Sequence, residues 1–179
     1  MHIRLALAAP DLIVLERHRD LEGRRSEAWI RRAILLVLFA ALVAALANLF
    51  GQRASDAARS APSAELEIRA PTVVRGGLLY QARFRISARQ ELKKATLVLD
   101  RGWLEGLTIN TVEPAPLGEA SRNGDLALEL GHVPAGQQYV LYLQYQVNPT
   151  SIGRRRQTTT LLDGDRVIVA MPRSLTVFP

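Results

Sequence analysis

The chain has 179 residues, no cysteine, three histidines, and 23 basic against 17 acidic side chains for a formal net charge of +6. Without cysteine there can be no disulfide framework, thiolate metal site or thiol nucleophile. The length allows one core of moderate size plus accessory segments.

Residues 1–28 read as a cytoplasmic leader, too short to build a core. Asp11 is placed to cap a helix, charges alternate in sign from Glu16 to Glu22, and Leu12, Leu15 and Leu21 make a thin apolar strip. Gly23 interrupts that pattern, so a topogenic leader with fractional helicity fits it better than a partner-binding surface helix.

Residues 33–50 run AILLVLFAALVAALANLF, with no charge and only Asn48 as a polar break. At about 1.5 Å per residue such a helix extends roughly 27 Å, the hydrocarbon thickness of a bilayer. The spacing predicts a single transmembrane helix over 29–51. Arg31 and Arg32 stand at its entrance, with Trp29 and Phe50 at the two interfaces. Seven arginines precede the run, whereas only Arg53, Arg59 and Arg69 follow within the next 20 or so residues. Basic residues are retained on the cytoplasmic side, so the N-terminus is expected inside and the larger C-terminal part outside a bacterial cytoplasmic membrane. A signal peptide cleaved at Ala45-Leu46-Ala47 and a buried soluble helix are the alternatives. The long leader and the length of the apolar run favour the retained anchor.

Residues 52–63 are small and polar and read as a linker. From Glu65 onward the period becomes two. Tyr80, Ala82, Phe84 and Ile86 share one face of a strand with Arg83 and Arg85 on the other, and Leu141, Leu143, Tyr145 and Val147 alternate with Tyr142, Gln144 and Gln146. Shorter strands are expected over 65–69, 96–99, 107–112, 126–130, 157–162, 166–170 and 175–178. An Asp163-Gly164 type I′ turn joins two of them. The prolines at 71, 114, 116, 134, 149 and 172 are expected at strand ends or connections. Seven to nine short strands without a sustained helical period over 64–179 predict an antiparallel β-sandwich, hence an all-β fold behind one transmembrane helix.

The segment Leu128-Glu129-Leu130-Gly131-His132-Val133-Pro134-Ala135-Gly136-Gln137, with the strand after it, resembles a turn-and-strand pattern of bacterial cell-surface immunoglobulin-like repeats, as does Trp103-Leu104-Glu105-Gly106-Leu107 upstream. The resemblance covers about 60 residues and implies an immunoglobulin-like sandwich of the adhesive, spacing or assembly kind. It carries over no catalytic, metal or cofactor residue. Pro134 sets the entry of the turn and Gly136 permits positive φ.

Little chemistry is legible. His132 is the one histidine beyond the apolar run and reads as a solvated turn residue, and no zinc spacing is present. The acids of Asp163-Gly164-Asp165 are too few for a calcium loop, and the hydroxyls lack a nucleophile motif. A non-catalytic protein without cofactor is therefore expected. Only Lys93 and Lys94 among the basic residues are lysine, an arginine bias pointing to a high-GC bacterial genome. Beyond residue 50 there are 16 basic and 12 acidic residues, and Arg83, Arg85, Arg154, Arg155 and Arg156 are the candidate interaction patch. The bland reading of those charges is a solvated edge that resists aggregation. Nucleic acid is a poor match for a basic domain facing away from the cytoplasm. The expected partners are the lipid bilayer and another membrane or envelope protein. The alternative is envelope polysaccharide or anionic lipid headgroups bound by the outer domain. Sugar binding would need exposed aromatics from among Trp103, Tyr80, Tyr139 and Tyr142, with Tyr142 the most outward by alternation.

Overall fold

The computed structural model describes residues 25–47 and 52–179. The chain divides into two compact units, Met1–Leu49 and Phe50–Pro179. The expected leader helix around residues 11–22, Phe50 and the end of the apolar run lie outside the described residues.

In the first unit, α1 (Arg25–Leu46) is a continuous 22-residue helix. Leucine and alanine, both strong helix formers, dominate it, and neither glycine nor proline interrupts it. Its Ala28–Leu46 stretch has a mean hydropathy of 2.1, and none of it is buried. It is the one helix among the described residues long and apolar enough to cross a membrane. The Arg32 guanidinium lies 5.7 Å from the centroid of the Trp29 ring, one turn away.

The second unit is a β-sandwich. In chain order its strands are β1 (Ala54–Ser60), β2 (Ala64–Pro71), β3 (Val73–Arg75), β4 (Leu79–Ala88), β5 (Leu92–Leu99) and β6 (Leu107–Glu113). They continue with β7 (Gly118–Arg122), β8 (Asp125–Val133), β9 (Gln138–Val147), β10 (Gly153–Asp163) and β11 (Arg166–Phe178). One sheet has the order β1-β2-β4-β9-β6 and the other β3-β11-β10-β5-β8-β7. All pairings are antiparallel except β3 with β11, which is parallel. The two-residue period explains the core. Tyr80, Ala82, Phe84 and Ile86, like Leu141, Leu143, Tyr145 and Val147, all face inward and are buried, opposite Leu97, Leu99, Leu128 and Leu161 of the other sheet. Each fully buried leucine of this kind contributes about 1.5–3 kcal/mol relative to exposure.

Four sequence expectations need correction. The 52–63 linker contains β1, which pairs with β2 along its whole length, from Ala54↔Pro71 to Ser60↔Glu65. Backbone pairing makes this strand, since only Ala57 within it packs against the core. Pro172 sits inside β11, opposite Thr158, and the strands expected at 166–170 and 175–178 are one. There β11 has β10 as its only sheet neighbour, so an absent N–H on the open side breaks no ladder bond. His132 lies on β8 rather than in a turn, with Nε2 2.9 Å from Glu91 Oε1. In the β10–β11 hairpin only Gly164 has positive φ (+61°), which fits a type II′ turn and not type I′.

The Pro134 turn is as expected: Gln137 N donates to Pro134 O at 3.1 Å and Gly136 has a φ of +78°.

Candidate interaction surface

Between the sheets an aromatic cluster closes one end of the core. Asp100 caps the short 3-10 helix Arg101–Trp103, its side chain accepting from Gly102 N at 3.1 Å, and this drives Trp103 inward to complete burial. Gly102 is required there because any side chain would collide with the carbonyl of Arg156. Trp103 packs 5.2 Å from Phe84 and 5.7 Å from Tyr145, which stacks on Tyr80 at 5.1 Å. Arg173 lays its guanidinium 5.1 Å from the Trp103 centroid and donates from Nη2 to the carbonyls of Ala70 (3.2 Å) and Pro71 (2.6 Å). Burial pushes the Tyr145 hydroxyl well above its ordinary range; the neighbouring Tyr80 adds to this and Arg173 opposes it. Tyr80 is likewise raised by burial, against the pull of Arg173, and burial lowers Arg173. These groups hold the sandwich together. Trp103 and Tyr80 are buried and unavailable to stack on a sugar, whereas Tyr139 is half-buried and Tyr142 is exposed.

The five proposed arginines do not form one patch. Arg83 and Arg85 project from β4 on the outer face of the five-stranded sheet, where Glu67 of β2 binds both at 3.0 Å. The pairs Arg89–Glu65 (3.1 Å) and Arg69–Asp56 (3.7 Å) extend this charge ladder. Arg154 and Arg156 belong to β10 of the other sheet. Arg155 between them has the parity of buried Gln157 and turns toward the core, where it hydrogen-bonds the Ser151 hydroxyl. The sequence run looks contiguous, but strand alternation splits it. Trp29, Arg31 and Arg32 all lie on α1.

The outer face of the six-stranded sheet is of a different kind. Alternation against Leu97, Leu128, Leu161 and Met171 puts Ala170, Thr160, Val98, Ala127 and Ala120 in one cross-strand row. The next row is Val167, Leu162, Thr96, Glu129 and Gly118. Leu162 and Ala127 are buried but do not belong to the inter-sheet core, because their neighbours on this face cover them. The first row is small or β-branched and carries no charge, while Arg122, which shares the parity of Ala120, pairs with Asp165 at 2.7 Å. Arg154 and Arg156 border the face at one end and Glu129 lies within it. No periodicity argument singles out this face, since its residues were read only as the complement of the core.

Other features offer no chemistry. A cleft of about 380 Å³ between β6 and β7, lined by Ile109, Val112, Pro116, Glu119 and Leu126, has one carboxylate and no partner acid or base. Among the described residues no group of three or more His, Cys, Asp or Glu side chains could hold a metal ion.

These strands and faces define a two-sheet β-sandwich preceded by an apolar helix. No family model matches the chain, and no curated protein does. Among solved structures it is similar to the CARDB domain of the PF1109 protein from Pyrococcus furiosus, with 15% identity over 66% of this chain and 96% of that one (TM-score 0.38). It is also similar to CaCohA2 from Clostridium acetobutylicum, with 13% identity over 66% of this chain and 92% of that one (TM-score 0.46). A non-cellulosomal cohesin from Archaeoglobus fulgidus shares 12% identity over 71% of this chain and 92% of its own (TM-score 0.41). The sandwich assignment rests on this chain's own strand pairing.

Proposed function

We propose that the protein is a non-catalytic interaction module of a bacterial envelope, anchored by α1 with its N-terminus inside and its sandwich outside the cytoplasmic membrane. In that arrangement it serves another membrane or envelope protein as an accessory subunit. The observation that carries this reading is the outer face of the six-stranded sheet, whose central row through Thr160, Val98 and Ala127 bears no charge and whose charged side chains, Glu129, Arg122, Arg154 and Arg156, stand around that row, in a chain whose other outer face is laddered with ion pairs. A flat surface of small and β-branched side chains loses little conformational entropy on contact, and its apolar area contributes roughly 25 cal/mol per Å² covered. Tethering by the apolar helix confines the face to a thin layer, so weak contacts suffice for a lateral partner. Arg154 and Arg156 at the border favour an acidic rim on that partner.

The test is site-specific photocrosslinking in native membranes. A photoreactive residue at Thr160 is expected to give one discrete adduct with a membrane or envelope protein, whereas the same residue at Arg85 gives none. Adducts from Arg85 but not Thr160, or from neither, would overturn the assignment of this face.

A further inference from the structure

Three separate segments bring large apolar side chains into solvent at one end of the sandwich. Leu78 (46% exposed) comes from the β3–β4 turn and Leu79 (50%) from the start of β4, Ile152 (59%) from the β9–β10 loop, and Phe178 (48%) from the end of β11. They are neighbours by register and contact. Gly153 pairs with Val177, which puts Ile152 beside Phe178. Gly76 N donates to Phe178 O at 2.8 Å, and a side chain at Gly76 would lie 2.9 Å from the carbonyl of Pro149. At the opposite end the turns at 61–63, 89–91, 134–137 and 163–165 expose no large hydrophobic side chain, and the exposed Val167 and Leu117 nearby stand singly on β11 and before β7.

The chain enters the sandwich at the apolar end. Ala54 pairs with Pro71, at the same end as the β3–β4 turn, while the apolar helix stops at Leu46. The seven residues between them span at most about 25 Å when fully extended. The connection from the apolar helix therefore joins the sandwich at this end. Arg75 and Arg154 are exposed beside the apolar group, against Glu105 on the adjoining loop, a balance suited to anionic headgroups.

We infer that this end is a membrane-docking surface: Leu78, Ile152 and Phe178 insert at the headgroup–acyl boundary while Arg75 and Arg154 meet anionic headgroups. The inference rests on the anchor reading above and adds to it that the domain lies on the bilayer instead of swinging free.

The chain's lack of cysteine makes the test direct. Full-length single-cysteine variants Leu78→Cys, Ile152→Cys, Phe178→Cys, Gln90→Cys and Leu38→Cys carry a nitroxide in nanodiscs of mixed zwitterionic and anionic lipid. Collision rates with oxygen and with a water-soluble nickel chelate are then measured. Labels at 78, 152 and 178 are expected to show higher oxygen and roughly threefold lower nickel accessibility than the label at 90. Nickel accessibility at 152 and 178 equal to that at 90, with 38 shielded by lipid, overturns the docking surface and leaves the anchor standing. Nickel access at 38 removes the anchor and the docking surface with it. Loss of both oxygen and nickel access at 152 and 178 indicates cover by protein and also overturns the proposal.

Discussion

Replacing Arg173 with methionine tests whether the sandwich edge is held by its buried guanidinium. Methionine restores the apolar stem and most of the volume but neither hydrogen bond. Hydrogen bonds to a charged donor contribute about 1.5–3 kcal/mol each, and Arg173 Nη2 donates two, to Ala70 O and Pro71 O. Its contact with the Trp103 face adds about 0.5–1 kcal/mol. Against these stands the cost of keeping a cation out of water, visible in the lowered proton affinity of Arg173. The net expected loss is about 2–3 kcal/mol, equivalent to a fall in Tm of roughly 6–12 °C for a unit of this size. Full-length protein in mild detergent, followed by the β-sheet signal in far-ultraviolet circular dichroism during urea and thermal unfolding, provides the measurement. Arg173→Lys keeps the charge and recovers part of the loss. A methionine variant within about 0.5 kcal/mol of the parent would mean that these bonds merely exchange with water and hold nothing.

Further outcomes follow from the same geometry. Gly102→Ala drives a methyl group into the Arg156 carbonyl and is expected to destabilise by at least as much as Trp103→Ala, about 3–5 kcal/mol, read from the same unfolding curves. Tyr80 and Tyr145 resist ionisation in the folded state, so their contribution is complete below pH 10 and lost above it, as unfolded tyrosine releases its proton first. Stability should fall by about 1.4 kcal/mol per pH unit for each such tyrosine over that range, and Tyr145→Phe should remove one such increment from the slope; an unchanged slope refutes the assignment. Ala120→Lys, at an exposed position of the same outer row, is expected to leave Tm within about 2 °C, as for surface substitutions generally, while abolishing the Thr160 crosslink. For topology, an impermeant maleimide applied to intact cells should label Gln90→Cys but not His18→Cys. The reverse pattern would invert the proposed orientation.

Much of the fold was legible because core strands advertise themselves. Phe84 and Leu143 belong to runs whose alternate positions are apolar, and both runs became central strands. The strands that escaped notice have no such pattern. β1 is nearly all small or polar, β3 has three residues, and β7 reads Gly-Glu-Ala-Ser-Arg. Their pairing is backbone bonding to a neighbour already in place, which composition does not record. A signal for β7 was present in Asn123-Gly124, both at positive φ (56° and 87°) in the hairpin to β8. The arginine patch failed for the opposite reason. Adjacency at 154–156 suggests a cluster, but a pleated strand sends Arg155 to the other side, and Arg83 and Arg85 are on the far sheet. The row through Thr160, Val98 and Ala127 was invisible because small, uncharged side chains leave no periodic mark.

The way β1 is attached has a mechanical consequence. Any pull transmitted from the apolar helix enters at Ala54, at the very end of an antiparallel ladder whose side chains are nearly all solvent-exposed. A pull across the sheet edge would rupture its bonds one after another, as a zipper opens, whereas a pull along the strands would load all of them in shear. Peeling β1 would leave the buried layer intact and release roughly 20 Å of extra leash. Under an edgewise pull β1 would thus act as a strain relief, spent before force reaches the interior.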